Sequence, residues 1–193
     1  MVNFNNLKKP YFIGEIGINH NADMSMVKKL IDATHACSWN CAKFQKRNPD
    51  ICVPEDQKSK IRETPWGIMK YIEYKHKIEL GKDEYEQIDS YCKTKPIDWS
   101  ASVWDHDSLE FLLDYNLPFI KIPSAMMTNT SLVKESAKSG LPIIMSTGMC
   151  SEIEIKQALD VLVRFGLKKE RVFILHCNTE YPTPMADVNL KAM

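Results

Sequence analysis

The chain has 193 residues, 44% hydrophobic and 26% charged, which supplies enough apolar side chains for one globular core and excludes disorder as a whole. Lys+Arg 25 against Asp+Glu 25 gives a formal net charge of zero, so no global field draws the chain to nucleic acid or an anionic membrane, and any anion site is local. No apolar run approaches the ~18 residues of a membrane span and the first residues lack a charged-then-apolar leader, so a cytoplasmic location is the expectation.

Along the chain, residues 11–17 read as a first strand, and Asn19-His20-Asn21-Ala22-Asp23 as a polar loop. A helix over 25–37 follows, with Met26, Leu30, Ile31 and Ala33 near a 3.6-residue period. Residues 39–45 read as a second strand with Lys43 inside it. The segment from 46 to 83 holds Pro49, Pro54, Thr64-Pro65-Trp66-Gly67 and a charged helix through 71–75; a connection of this length is expected to act as a lid. A helix over 84–93, a strand over 98–103 and a helix through Leu109, Phe111, Leu112 and Leu113, capped by Asp105 or Asp107, come next.

Residues 119–124 read as a buried strand with Lys121 among apolar neighbours. An anionic ligand at its end explains such a lysine, and so does a sheet edge where the stem packs and the ammonium reaches water. Thr128 or Asn129 caps a helix over 131–138 that stops at Gly140. A strand over 142–147, a helix opened by Ser151 and Glu154 at capping-box spacing and closed by Gly166, and a strand over 171–177 complete the series.

Strands alternating with helices at short spacing argue for parallel βαβ units, in a doubly wound sheet or a (β/α)8 barrel. No GxGxxG or Walker sequence follows any strand, whereas polar residues recur at strand ends, where barrel enzymes place their sites. About six βα units precede Met193, so the expected fold is an incomplete (β/α)8 barrel, its open strand edges inviting self-association. At one mouth the strand ends offer Glu15, Lys43 with Gln45, Ser102, Lys121 with Ser124, Ser146 with Thr147, and 178–181. Lysines and hydroxyls of this kind suit a small phosphorylated or carboxylated substrate, while each serine also reads as a helix cap and Glu15 as a satisfied structural carboxylate. The six cysteines (Cys37, Cys41, Cys52, Cys92, Cys150, Cys177) form no CxxC pair and are expected as reduced thiols; the five histidines form no HxxxH or HExxH pattern, so no metal ligands are assigned in this chain.

Taken together, Gly14-Glu15-Ile16-Gly17-Ile18-Asn19-His20-Asn21, Ala42-Lys43-Phe44-Gln45, Thr64-Pro65-Trp66-Gly67, Lys121-Ile122-Pro123-Ser124, Ser146-Thr147-Gly148-Met149 and His176-Cys177 with Tyr181-Pro182-Thr183-Pro184 resemble the N-acetylneuraminate (sialic acid) synthase family, in collinear order. The resemblance implies a barrel enzyme that condenses phosphoenolpyruvate with an N-acylated amino-sugar aldehyde such as N-acetylmannosamine and releases phosphate. It implies Glu15 as the acid/base or water-orienting carboxylate; Lys43, Ser102, Lys121, Ser124 and Ser146 as phosphoenolpyruvate ligands; and Gln45, Thr179 and Tyr181 near the sugar. It also implies a homodimer and a divalent metal, manganese or magnesium, whose histidine ligands lie beyond Met193 together with the rest of the barrel and an antifreeze-like domain. Departures include Ala22 where glycine is usual and Met126 where a substrate-holding glutamate is known, which leaves the sugar open. Two other readings stand beside this one: a Schiff-base aldolase using Lys121, and a non-catalytic fragment or sugar-binding module.

Overall fold

A computed structural model describes residues 4–193, which divide after Leu117 into two compact units. In the first unit, β1 (Ile13–Gly17), β2 (Cys41–Lys46) and β5 (Asp98–Val103) pair in parallel in that order. The interior of β2 and nearly all of β5 are buried, as expected of parallel strands covered on both faces. Helix α1 (Met24–Ala36) starts where Asp23 accepts a 2.7 Å hydrogen bond from the Ser25 amide, and it buries Val27 and Ile31. The chain then turns at Ser38, φ 58°, and the Asn40 and Cys41 amides donate to the Phe12 carbonyl, so β2 begins at Cys41 and not at Trp39.

The long segment after β2 is built, not structureless. It comprises α2 (Pro49–Cys52), α3 (Glu55–Lys58), the antiparallel hairpin β3 (Ile61–Thr64) and β4 (Gly67–Lys70), and α4 (Tyr71–Ile78). The Thr64-Pro65-Trp66-Gly67 motif is the hairpin turn: Thr64 Oγ1 donates to the Gly67 carbonyl at 2.7 Å, and Gly67 sits at φ 95°, where a Cβ is strongly disfavoured. Helix α5 (Lys82–Thr94) and α6 (His106–Leu113) flank β5 in sequence. Asp105 caps α6 through the Ser108 amide at 2.7 Å, and its other oxygen accepts the Asn48 amide at 2.6 Å. The core of this unit is aromatic around Tyr85, whose ring lies 5.3 Å from Phe111, 5.6 Å from Trp99 and 6.4 Å from Phe44.

In the second unit, β6 (Ile120–Ile122), β7 (Ile143–Ser146) and β8 (Val172–Leu175) are again parallel, in that order. Between them run α7 (Thr130–Lys138), capped by Asn129 through the Leu132 amide, and α8 (Glu152–Arg164), opened by the Ser151–Glu154 capping box. Both helices close at glycines in left-handed conformation, Gly140 at φ 67° and Gly166 at φ 100°. Ile120, Ile122, Leu132, Val133, Ile143, Met145 and Leu162 form the core. The strands are shorter than the apolar runs predict: Thr147 and His176 fall outside β7 and β8. No helix of the described residues is long and apolar enough to cross a membrane.

Candidate functional site

The first unit gathers Glu15, Lys43 and Ser102 from three adjacent strands. Lys43 sits in the middle of β2 with its side chain 7% exposed. Its ammonium forms an ion pair with the Glu15 carboxylate and donates to Ser102 Oγ at 3.0 Å. A charge buried to this degree is tolerated only with such partners, because stripping water from an ammonium costs several kcal/mol. Register explains the meeting: Glu15 pairs with Lys43 across β1 and β2, and Gln45 with Ser102 across β2 and β5. A register shift between Glu15 and Gly17 bends the end of β1, and Gly17 itself has φ 57°. A Cβ built on Gly17 would stand 3.3 Å from both Gln45 Nε2 and Glu15 Oε1, so Glu15 and Gln45 face one small hollow that glycine leaves open.

Beyond this group the sequence reading missed a second, charged layer. Lys46 Nζ donates to Glu79 Oε1 at 3.1 Å and to the Leu80 carbonyl at 2.7 Å, and the Arg47 amide donates to the same Glu79 oxygen at 3.1 Å. Burial raises the Glu79 carboxyl above its ordinary range, while Lys46 and Arg47 pull it down. The Arg47 guanidinium donates to Gln45 Oε1 and stacks on Trp104, 4.4 Å from the ring centroid. Only the odd spacing of Lys43, Gln45 and Arg47 hinted at this, and charged residues just past a strand ordinarily read as solvated. His20, 2% exposed, accepts from the Ala22 amide at 3.0 Å and so shapes the loop after β1.

In the second unit, Lys121 is 6% exposed inside β6, and its ammonium donates to the Ile122 carbonyl at 3.2 Å. Ser124 opens a 3-10 turn over Ser124–Met126, rather than extending the strand. A Cβ on Gly148 would meet Thr179 Cγ2 at 2.7 Å and Ser124 Oγ at 3.0 Å, so the bare glycine lets Ser124 and Thr179 both approach its backbone closely. Ser146, 8% exposed, ends β7, and the next residue, Thr147, hydrogen-bonds the Leu175 carbonyl through both its amide and its hydroxyl. Tyr181 is 92% exposed and does not join this group.

Among the described residues no group of three His, Cys, Asp or Glu side chains gathers to hold a metal, and the six cysteines are free thiols.

The NeuB family model matches residues 30–193. The N,N'-diacetyllegionaminic acid synthase of Campylobacter jejuni is 34% identical over 193 residues, covering 97% of this chain and 57% of that protein. The N-acetylneuraminate-9-phosphate synthase of Drosophila melanogaster is 35% identical over 183 residues, covering 94% and 48%. Among solved structures, the N-acetylneuraminic acid (sialic acid) synthetase of Leptospira borgpetersenii in complex with citrate superposes with a TM-score of 0.82 at 27% identity, covering 94% of this chain and 59% of that one. The chain thus spans about half the length of the curated relatives it matches. The fold is α/β, an incomplete (β/α)8 barrel, as the alternation of strands and helices predicts.

Proposed function

This chain belongs to the NeuB family, and we propose that it is the phosphoenolpyruvate-handling part of a nonulosonic acid synthase, a transferase that joins phosphoenolpyruvate to an N-acylated amino-sugar aldehyde such as N-acetylmannosamine and releases phosphate. The observation that supports it best is the buried Lys43 ammonium held between the Glu15 carboxylate and the Ser102 hydroxyl. Such a group is a ready-made anchor for an anionic substrate: the ammonium is already desolvated, its position is fixed from two sides, and its pull on a carboxylate or phosphate is not screened by water.

In this reading Lys43, Ser102, Lys121, Ser124 and Ser146 hold the carboxylate and phosphate of phosphoenolpyruvate. The enol carbon attacks the sugar's C1 aldehyde, water adds at the cationic C2, and the C–O bond to phosphate breaks to leave a 2-keto acid. Glu15, whose side chain is 53% exposed, orients that water and takes its proton in this reading. Gln45, Thr179 and Tyr181 are the sugar contacts. The full enzyme is a homodimer that uses manganese or magnesium, with the metal ligands outside these residues.

The test is phosphoenolpyruvate consumption by the full-length protein. It should require both an N-acylhexosamine and a divalent metal; consumption that continues without the sugar would remove the synthase reading. Lys121→Met should weaken phosphoenolpyruvate binding by about tenfold or more, as expected for the loss of a charge-assisted hydrogen bond worth ~1.5–3 kcal/mol. An unchanged affinity would make the lysine purely structural.

A further inference from the structure

We propose that Arg47 is a positioning residue that fixes the side-chain amide of Gln45 with its NH2 group toward the hollow beside Glu15, so that the site selects an amino sugar presenting an oxygen acceptor there. The inference rests on the reading of Gln45 as a sugar contact. A primary amide is nearly isosteric about its C–C bond, so an unsupported glutamine offers a substrate either its oxygen or its nitrogen. Arginine removes the choice. The guanidinium carries donors and no acceptor, and the Gln45 atom it contacts is therefore Oε1. Gln45 Nε2 is thereby left on the other side, where it stands 3.3 Å from the position of a Cβ on Gly17, with Glu15 Oε1 at the same distance.

The guanidinium is itself held in place. Arg47 is 9% exposed, its Cζ lies 4.4 Å from the centroid of the Trp104 ring, and the Glu79 carboxylate balances its charge with Oε2 3.9 Å from Nε, beyond hydrogen-bond range. Its backbone amide is tied to Glu79 Oε1 at 3.1 Å, the oxygen that Lys46 also grips. A planar, stacked donor fork transmits orientation in a way a lysine does not. The hollow then pairs a donor, Gln45 Nε2, with an acceptor, Glu15. A sugar hydroxyl fits both at once by donating to the carboxylate and accepting from the amide, and an acyl carbonyl fits the amide alone.

Steady-state kinetics on the full-length enzyme separate this from a structural role. Arg47→Lys keeps a cation beside Glu79 but loses the fork. It should raise KM for the N-acylhexosamine about tenfold while leaving KM for phosphoenolpyruvate unchanged, whereas a purely structural role would lower the thermal midpoint without changing the sugar KM. In a Gln45→Ala background the same substitution should have no further effect on the sugar KM, because the residue it acts through is gone. Gln45→Glu reads the orientation without touching Arg47: the contact to the guanidinium survives, the donor toward the hollow does not, and the sugar KM should rise by at least tenfold.

Additive effects of Arg47→Lys and Gln45→Ala, or an unchanged sugar KM in Gln45→Glu, would overturn the inference. If Gln45→Ala raises the sugar KM and Arg47→Lys does not, the inference alone falls. If Gln45→Ala itself leaves the sugar KM unchanged, the reading of Gln45 as a sugar contact falls and takes the inference with it.

Discussion

Glu15 and Lys43 share one ion pair but not one environment: the Glu15 side chain is 53% exposed and that of Lys43 7%. The lysine is therefore the fixed member and the carboxylate the reachable one. Glu15→Gln retains an oxygen for the Lys43 ammonium but removes its countercharge, so the thermal midpoint should fall, while kcat of the full-length enzyme at a temperature below that midpoint should fall by roughly 10²–10⁴, the usual worth of a positioned acid/base group. Equal kcat values would leave Glu15 a structural partner of the lysine. His20 carries a second prediction. Burial lowers its pKa from the ordinary 6.5, with the Gly17 carbonyl pulling weakly the other way. Between 6.5 and the lowered native value the unfolded chain binds more protons than the folded one, so the contribution is complete above 6.5 and is lost as pH falls through that window. Urea midpoints should drop on acidification below 6.5, and His20→Gln should flatten part of that slope; identical slopes would assign the acid sensitivity elsewhere. At this scale the sequence showed Lys43 and Gln45 on one face of a strand, since a period of two dictates it. It did not show Arg47 reaching back to Gln45, because that contact depends on Trp104 and Glu79, both remote in the chain.

Elements with strong local rules were legible. Asp105, Asn129 and Ser151 each cap the helix that their spacing announces, and glycines stop α7 and α8. The β3–β4 hairpin was not anticipated, because its strands are exposed along most of their length and carry no apolar alternation for a periodicity to reveal. The loop after β1 bears a local cost that the sequence did flag. Ala22, which stands where the family likeness leads one to expect glycine, has φ 55°, a conformation that opposes a Cβ. Ala22→Gly relieves that strain, worth about 1–2 kcal/mol, and returns part of it through the freer unfolded chain, for a net gain of about 0.5–1 kcal/mol in a urea titration. A loss of stability would mean that the alanine methyl packs usefully in the loop.

At the scale of the whole chain, both units repeat the same arrangement of parallel strands joined through helices; the alternation in the sequence predicts those βαβ units, and the polar strand ends favour a barrel over a doubly wound sheet. The division after Leu117 had no mark in the sequence, where Pro118 reads only as the stop of a helix. Six free thiols are spread over both units at graded depth: Cys37 at the surface, Cys52, Cys150 and Cys177 partly covered, Cys41 and Cys92 buried. Burial pushes the Cys92 thiol up to about 12, and that of Cys41 higher still, so neither holds appreciable thiolate at neutral pH. The thiols thus amount to a built-in clock. A pulse of iodoacetamide should alkylate Cys37 at the rate of a free thiol, whereas Cys41 and Cys92 should react only in molecules that have opened. Their two rates, resolved by peptide mass, should coincide if the strand bearing Cys41 and the helix bearing Cys92 open as one cooperative body, and separate if either frays alone.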